Sequence, residues 1–258
     1  DATYDSLVTK HAECIEELSL KSKTNFRRII GEYFTQLKSD LLFVAKESHL
    51  SSQSLDKVLS YGELLSSKIL AEYLCQIGIP AEQLDARKVI LTDNYFGHAF
   101  VHYQESYNRI RAYLKDRSHI QVITGFLGST KTGETTTLGR SGSDYTAAIF
   151  GAALNAEIIE IWTDVSGILS ADPKIVNEAE VVPSLTYEEA MELAHAGAKV
   201  IFPPTMIPAL YKNIPIVIKN TFEPDHPGTT IAKDRTKSDK SVVGISSLSN
   251  VALVRLQG

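Results

Sequence analysis

The chain has 258 residues, of which 43% are hydrophobic and 22% charged, and these values are ordinary for a globular protein. Its net charge of −5 disfavours nucleic acid as a partner, and no apolar run approaches the ~20 residues that span a bilayer. The chain has two cysteines and no signal-peptide pattern. We therefore expect a cytoplasmic protein with reduced thiols that binds neither nucleic acid nor membrane.

The first half of the chain is helical in pattern. Apolar residues recur at three- and four-residue spacing over 9–48, which predicts an amphipathic helix, and a second such helix is predicted over 53–76. Residues 87–93 and 119–126 are β-branched and apolar, so they are predicted to form short buried strands. A further helix is predicted between them, over 105–117.

After Thr124 the pattern changes to strand, glycine-rich loop, helix and strand. A helix is predicted over 143–156 and a strand over 157–162. Thr186 and Glu189 have the spacing of a capping box, and the pattern after them again alternates helix and strand as far as Asn220. Near-continuous apolar strands that alternate with helices predict an α/β fold with a mainly parallel sheet.

The C-terminal part differs in composition. Residues 232–241 are polar and are predicted to be a linker, and 242–258 are predicted to contain two short strands that begin another domain. The remainder, 1–231, is predicted to be a catalytic domain.

A glycine-rich turn at 139–144 could bind an anion. A helix start offers unpaired N–H groups and the positive end of the helix dipole, two glycines allow close approach, and Arg140 supplies a planar fork for a carboxylate or phosphate. A plain turn capped by Ser143 or Asp144 is an equally good interpretation on local residues alone.

Three further segments can each be interpreted in two ways. Thr163, Asp164 and Lys174 follow a strand, where α/β folds place ligands, but a surface loop is the better interpretation of that segment alone. Lys199 is either a phosphate ligand or a surface lysine. Glu63 is either an ordinary glutamate of a first helical turn or the ligand of an ammonium group. His98 and His102 lack a third ligand, so no metal site is predicted.

Seven motifs together resemble the aspartate kinase family of the amino-acid kinase superfamily. They occur in the order found in that family, and the resemblance covers about 60–231: YGELLSS, GFLGS, TTTLGRSGSDYTAA, IWTDVSGI, ADPK, GAKVIFPP and PGTTI.

The resemblance implies transfer of the γ-phosphoryl group of ATP, with Mg²⁺, to the β-carboxylate of L-aspartate. It implies a three-layer α/β/α sandwich. Glu63 would bind the substrate ammonium, and Arg140 its α-carboxylate. The rest of the implied site comprises Ser141, Gly142 and Ser143 for the substrate, Asp144 and Lys199 for catalysis, and Thr163, Asp164, Leu169, Lys174, Lys199 and Val200 for the nucleotide.

The chain departs from the family pattern in several places. The family opens on a Lys-Phe-Gly-Gly-Thr-Ser motif that this sequence lacks, so the fold is expected to be incomplete at its N-terminus and this chain alone to have weak activity or none. Ser141 replaces a frequent glycine, Leu169 a frequent tyrosine, Lys174 an arginine and Phe202 a frequent histidine.

The C-terminal segment resembles the start of a regulatory ACT-type domain, and several motifs resemble the bifunctional aspartokinase–homoserine dehydrogenases. The resemblance implies a homo-oligomer with threonine or lysine as a possible effector. Two alternatives remain open at this point: another amino-acid kinase that acts on glutamate, carbamate or a nucleotide monophosphate, and a non-catalytic module that binds a nucleotide or an effector.

Overall fold

The chain forms two compact units, Asp1–Thr146 and Ala147–Gly258. The computed structural model describes residues 2–20, 23–47, 49–195, 202–234 and 242–247. Both units contain α-helices and short strands, so the predicted α/β class is confirmed. No helix within the described ranges is long and apolar enough to cross a membrane.

Among the described residues, four α-helices lie entirely within the first unit. In chain order they are α1 Ala2–Glu17, α2 Lys23–Val44, α3 Ser52–Gln76 and α4 Tyr103–Leu114. The start of α3 is capped, since the Ser51 hydroxyl accepts a hydrogen bond from the N–H of Ser54 at 3.1 Å. The helix predicted over 53–76 is thus confirmed, and α4 begins and ends slightly earlier than the predicted 105–117.

The prediction of a single helix over 9–48 is wrong, because the chain turns between α1 and α2. Ser19 has a left-handed φ of 51°. The N–H groups of Ser19 and Leu20 bond back to the carbonyls of Glu16 and Ile15 at 2.9 and 3.4 Å, which is a Schellman arrangement. Leu20 is fully buried, so the turn itself supplies an apolar residue and the helical periodicity continues through the break.

Four short strands form two pairs in the first unit. β1 Ala81–Leu84 pairs in parallel with β2 Ile120–Ile123, from Ala81 opposite Ile120 to Leu84 opposite Ile123. β3 Leu127–Ser129 pairs antiparallel with β4 Thr135–Thr137.

The strand predicted over 87–93 is not a ladder strand. Ala86–Lys88 is a turn of 3₁₀ helix, and Leu91 and Thr92 form only isolated bridges. The chain turns there because the Asp85 carboxylate accepts a hydrogen bond from the Arg87 N–H at 3.1 Å and also binds the Arg87 guanidinium. The strand predicted over 119–126 is confirmed at its centre as β2.

The second unit is organised around one four-stranded sheet. Its strands are β5 Ile159–Thr163, β6 Ser184–Thr186, β7 Ile216–Asn220 and β8 Thr229–Ala232, in the order β5-β7-β8-β6. β5 pairs with β7 and β6 with β8 in parallel, whereas β7 and β8 are antiparallel. The sheet is therefore mixed, with parallel pairs in the majority.

Three helices accompany this sheet: α5 Gly142–Leu154, which contains the boundary between the units, α6 Tyr187–His195 and α7 Pro203–Lys212. The capping box before α6 is confirmed. The Thr186 N–H donates to the Glu189 carboxylate at 2.8 Å, and the Glu189 N–H donates to the Thr186 hydroxyl at 3.1 Å.

Each unit has its own apolar core. In the first unit, residues of α1, α2 and α3 pack together with Leu127 of β3. In the second unit, residues of α5, α6 and α7 pack with the strands of the four-stranded sheet. The cores hold the strand ends and helix starts that carry the predicted site.

The C-terminal predictions fall largely outside the described residues. Most of the predicted linker 232–241 and the segment after 247 lie there. Residues 242–247 belong to no strand, contrary to the strand predicted at that point, and the Ile245 N–H donates to the Ser170 carbonyl at 2.8 Å.

Candidate functional site

The turn at 139–142 delivers the chain from β4 into α5. Gly139 and Ser141 both have left-handed φ values, of 75° and 53°, and the Gly142 N–H donates to the Gly139 carbonyl at 3.1 Å. A left-handed φ favours glycine, and at position 141 this chain has a serine in that conformation. The turn leads into the start of α5, where the first N–H groups of a helix can bind an anion.

Gly139 allows the loop before α4 to approach this turn. A Cβ atom at Gly139 would lie 2.0 Å from Nδ1 of His98, so any larger residue would displace the imidazole. The loop is held there by main-chain bonds as well, because the Ala99 N–H donates to the Thr137 carbonyl at 2.9 Å.

The loop between β2 and β3 lies against the first turn of α5. A Cβ atom at Gly125 would lie 2.6 Å from the Ser143 Oγ and 3.1 Å from its Cα. Thr146 fixes this contact, because its hydroxyl accepts from the Phe126 N–H at 3.0 Å and donates to the Gly142 carbonyl at 2.9 Å.

Glu63 of α3 reaches the same loop. Its carboxylate accepts a hydrogen bond from the Gly125 N–H, which lowers the carboxyl pKa, but burial outweighs that bond and raises the pKa above its ordinary value. Because Gly125 contacts both Glu63 and Ser143, the structure brings these two predicted substrate ligands together.

Asp144 has a similar environment in the first turn of α5. Burial raises the pKa of its carboxyl, and a hydrogen bond from the Ser141 hydroxyl acts in the opposite direction. Among the described residues, no lysine or arginine contributes to the pKa shift of Asp144 or Glu63. Two partly buried carboxyls of this kind favour a cationic ligand, because a positive group would offset their desolvation.

Arg140 is exposed at the turn itself. It lies one residue from Gly139 and two residues before α5, so it adds a full positive charge beside the helix start. An acceptor with a carboxylate and an ammonium would thus find complementary charges at Arg140 and Glu63.

The second unit contains the residues predicted to bind the nucleotide. Thr163 ends β5, opposite Asn220 at the end of the parallel strand β7, and its hydroxyl donates to the Asp164 carboxylate at 3.2 Å. The side chain of Asn220 donates to the Ser166 hydroxyl at 2.9 Å. These polar groups lie at the carboxyl ends of two parallel strands, which is the edge where α/β sheets bind ligands.

Leu169 and Lys174 belong to the loop that follows. Leu169 forms a single bridge with Val181, whereas Lys174 is exposed, with its N–H bonded to the Asp172 carboxylate at 2.9 Å. Lys174 therefore lies in the exposed part of the segment between β5 and β6. Lys199 and Val200 lie outside the described residues.

Sequence reasoning missed three residues that shape these sites. Gly125 lies in the motif GFLGS, but it was given no role, because a glycine between two strands indicates only a turn. Asn220 and Ser166 were missed because their link spans more than fifty positions. The position of Asn220 at the end of a predicted apolar strand was the one available signal for it.

The amino acid kinase family model matches residues 8–220. Aspartokinase 1, chloroplastic, of Arabidopsis thaliana is 37% identical over an alignment of 260 positions, which covers 95% of this chain and 45% of that protein. Bifunctional aspartokinase/homoserine dehydrogenase 1, chloroplastic, of the same plant is 35% identical over an alignment of 268 positions, which covers 100% of this chain and 29% of that protein.

Crystallised E. coli aspartokinase III, in complex with aspartate and ADP, matches this structure with a TM-score of 0.84 and 32% identity, over 90% of this chain and 51% of that one. The chain spans less than half the length of the two Arabidopsis relatives. The match over 8–220 and the geometry of the α5 start agree with the resemblance carried by the seven motifs, and the chain belongs to the amino acid kinase family.

Proposed function

We propose that the protein is an aspartate kinase, which transfers the γ-phosphoryl group of ATP to the β-carboxylate of L-aspartate and forms 4-phospho-L-aspartate. The observation that carries this proposal is the pairing of Glu63 with the start of α5 through Gly125. The Glu63 carboxyl has no cationic partner among the described residues. It lies beside the start of α5, the helix that follows Arg140.

The reaction needs no general base. The β-carboxylate of aspartate is already ionised at pH 7, since the ordinary pKa of such a group is about 4. Catalysis then consists of holding acceptor and donor in line and offsetting the charge of the transferring group. The α5 start, Arg140 and the predicted lysines are the kinds of groups that this task requires.

Within the first unit, Glu63 would bind the substrate ammonium and Arg140 the α-carboxylate. The main-chain N–H groups and hydroxyls of Ser141–Ser143 would line the same pocket. Asp144 would then orient the cationic groups near the transferring phosphoryl group. Its raised pKa supports this role, because its carboxylate would be stabilised by the cation it orients.

Within the second unit, Thr163 and Asp164 would contact the ribose or base of ATP, with Leu169 and Val200 beside the nucleotide. Lys174 and Lys199 would approach the phosphates. The support for this part is the position of Thr163 at the carboxyl end of β5 and its bond to Asp164.

Mg²⁺ would enter with ATP. In phosphoryl-transfer sites it takes most of its ligands from phosphates and water, with one or two protein carboxylates. Among the described residues no group of three His, Cys, Asp or Glu could hold a metal ion. The exposed Asp164 and the partly buried Asp144 are carboxylates of the required type, and the ion would supply positive charge at the phosphates.

Trapping the acyl phosphate tests the proposal. The full-length protein would be incubated with ATP, Mg²⁺ and hydroxylamine, together with either aspartate or glutamate, and the hydroxamate measured. We expect aspartyl hydroxamate to form in amounts that depend on ATP, with glutamate giving about a tenth as much or less. A preference for glutamate, or no hydroxamate from either acid, would contradict the proposal.

Regulation is part of the same proposal. A lysine or threonine effector would act through ACT-type domains after residue 242, in a homo-oligomer. Inhibition of the trapped product by one of these amino acids, together with the mass of the assembly in solution, would test both points.

A further inference from the structure

Asp56 is a buried carboxylate for which the proposed reaction has no use. It lies in α3 with 0% of its surface exposed. One carboxylate oxygen accepts from the N–H groups of Gly97 and Thr137, each at 2.9 Å, and the other accepts from the Thr137 hydroxyl at 2.7 Å. Three donors to one buried carboxylate form a strong, geometrically specific anchor.

Both partners of Asp56 lead directly into the candidate site. Thr137 is the last residue of β4, two residues before Gly139, and Gly97 precedes His98, whose ring packs on Gly139. The bond from the Ala99 N–H to the Thr137 carbonyl joins the same two segments. Asp56 thus binds the two chain segments, at Gly97 and at Thr137, that position the turn before α5.

Asp56 also shares an element with Glu63. Seven residues are two turns of α-helix, so the two side chains lie on nearly the same face of α3. One helix therefore carries the group that would bind the substrate ammonium and the anchor of the segment that presents Arg140.

We propose that Asp56 is a positioning residue, which sets the distance between the ammonium-binding Glu63 and the carboxylate-binding turn at Arg140. This inference rests on the proposed aspartate kinase function. Its consequence is specific, because loosening the anchor would weaken aspartate binding while leaving ATP binding in the second unit unaffected.

Asp56→Ala and Asp56→Asn in the full-length protein test the inference. The alanine variant leaves the N–H groups of Gly97 and the buried Thr137 without this acceptor. The asparagine variant can direct its Oδ1 at both N–H groups and its NH₂ at the Thr137 hydroxyl, which is able to accept. We expect the KM for aspartate to rise about tenfold or more in Asp56→Ala and about threefold or less in Asp56→Asn, with the KM for ATP within about threefold in both.

Asp40→Ala is the matched control. Asp40 is another buried carboxylate of the first unit, and it accepts hydrogen bonds from Lys57 and from the Tyr61 hydroxyl, both at 2.7 Å. Its loss should lower the melting temperature but leave the KM for aspartate within about threefold of wild type.

Hydrogen exchange gives a readout that is independent of activity. The amides of Gly97 and Thr137 should exchange faster in Asp56→Ala than in wild type, and at close to the wild-type rate in Asp56→Asn. If Asp56→Ala does not fold, Thr137→Val removes one of the three bonds alone and should still raise the KM for aspartate more than the KM for ATP.

Two results would overturn the inference. The first is an equal change in the KM for aspartate and the KM for ATP in Asp56→Ala, or in Thr137→Val if the alanine variant does not fold. The second is failure of Asp56→Asn to restore aspartate binding. An inactive wild-type protein would instead contradict the proposed function, and the exchange rates at Gly97 and Thr137 would then still decide whether Asp56 anchors the turn.

Discussion

The fold alone disfavours the ionised form of the Glu63 carboxyl. Burial raises the pKa of its carboxyl, so ionising it at neutral pH lowers the stability of the folded state. A carboxyl that is destabilised in this way and lies beside a glycine loop is typical of a ligand site. The same reasoning applies to Asp144, whose pKa is also raised by burial.

Replacing Glu63 by glutamine should therefore stabilise the protein at neutral pH. With a folded-state pKa above the unfolded one, Glu63 contributes stability below the ordinary glutamate pKa of about 4.3, and this contribution is lost as the pH rises through the raised value. Thermal unfolding should show a higher melting temperature for Glu63→Gln than for wild type at pH 7, and a smaller difference at pH 4.

Glu82→Gln is the control with the opposite sign. Its hydrogen bond from Arg117 is the largest cause that lowers the pKa of Glu82, so this variant should gain nothing at pH 7. A lower melting temperature for Glu63→Gln than for wild type at pH 7 would refute the account of Glu63.

Replacing Arg140 even by lysine should weaken aspartate binding. A lysine keeps the charge but loses the planar fork that binds a carboxylate through two hydrogen bonds. We expect the KM for aspartate to rise about tenfold in Arg140→Lys, and further in Arg140→Ala, in steady-state assays of ADP release. Lys131→Ala, which removes an exposed cation of the same unit, should change it less than about twofold. A change below about threefold in both Arg140 variants would count against the assigned role.

At the residue scale, the predicted site residues that lie near one another in the structure are those that belong to a local sequence motif. Glu63, Ser143 and Arg140 each lie in a motif, so their positions in the chain identified them. Asp56 was equally visible, two helical turns before Glu63, but an aspartate in an amphipathic helix is interpreted as exposed. Only its bonds to Gly97 and Thr137, 41 and 81 positions away, reveal that it is buried.

At the scale of elements, the sequence predicted those features that depend only on neighbouring residues. The capping box predicted the start of α6 correctly, and the helix predicted from residue 53 begins at Ser52, after the Ser51 cap. The break between α1 and α2 could not be predicted, because Leu20 is buried by residues of other helices. β1 was missed for a similar reason, since a four-residue strand with two polar residues is identified by its pairing with β2.

The loop between β2 and β3 provides a prediction at this scale. In Gly125→Ala the new methyl group would meet the Cα of Ser143 at 3.1 Å as well as its side chain, and backbone cannot rotate away. We expect the loop to shift, the melting temperature to fall and the KM for aspartate to rise about tenfold.

Gly31→Ala serves as the control for that variant. Gly31 lies within α2, and no neighbouring atom lies within 4 Å of the place that a Cβ atom would occupy, so alanine should stabilise the protein by about 0.5–1 kcal/mol. An unchanged KM for aspartate in a folded Gly125→Ala protein would show that this loop does not shape the site.

At the scale of the whole molecule, the α/β class was predictable because strands and helices alternate with distinct periodicities. The mixed sheet was not, because the antiparallel pairing of β7 and β8 leaves no mark on either strand's composition. Because the net charge is −5, the cations that would bind the proposed anionic substrates must be concentrated locally. The turn at Arg140 fits this requirement in the first unit, and Lys174 in the second.

The central claim is that Glu63 recognises the ammonium group of the acceptor, and comparing aspartate with succinate tests it most directly, since succinate lacks only that group. The measurement is kcat/KM for both acids in wild type and in Glu63→Gln. We predict that wild type prefers aspartate by about 100-fold or more, and that the preference falls to about tenfold or less in the variant. A variant that retains the full wild-type preference for aspartate would contradict the account.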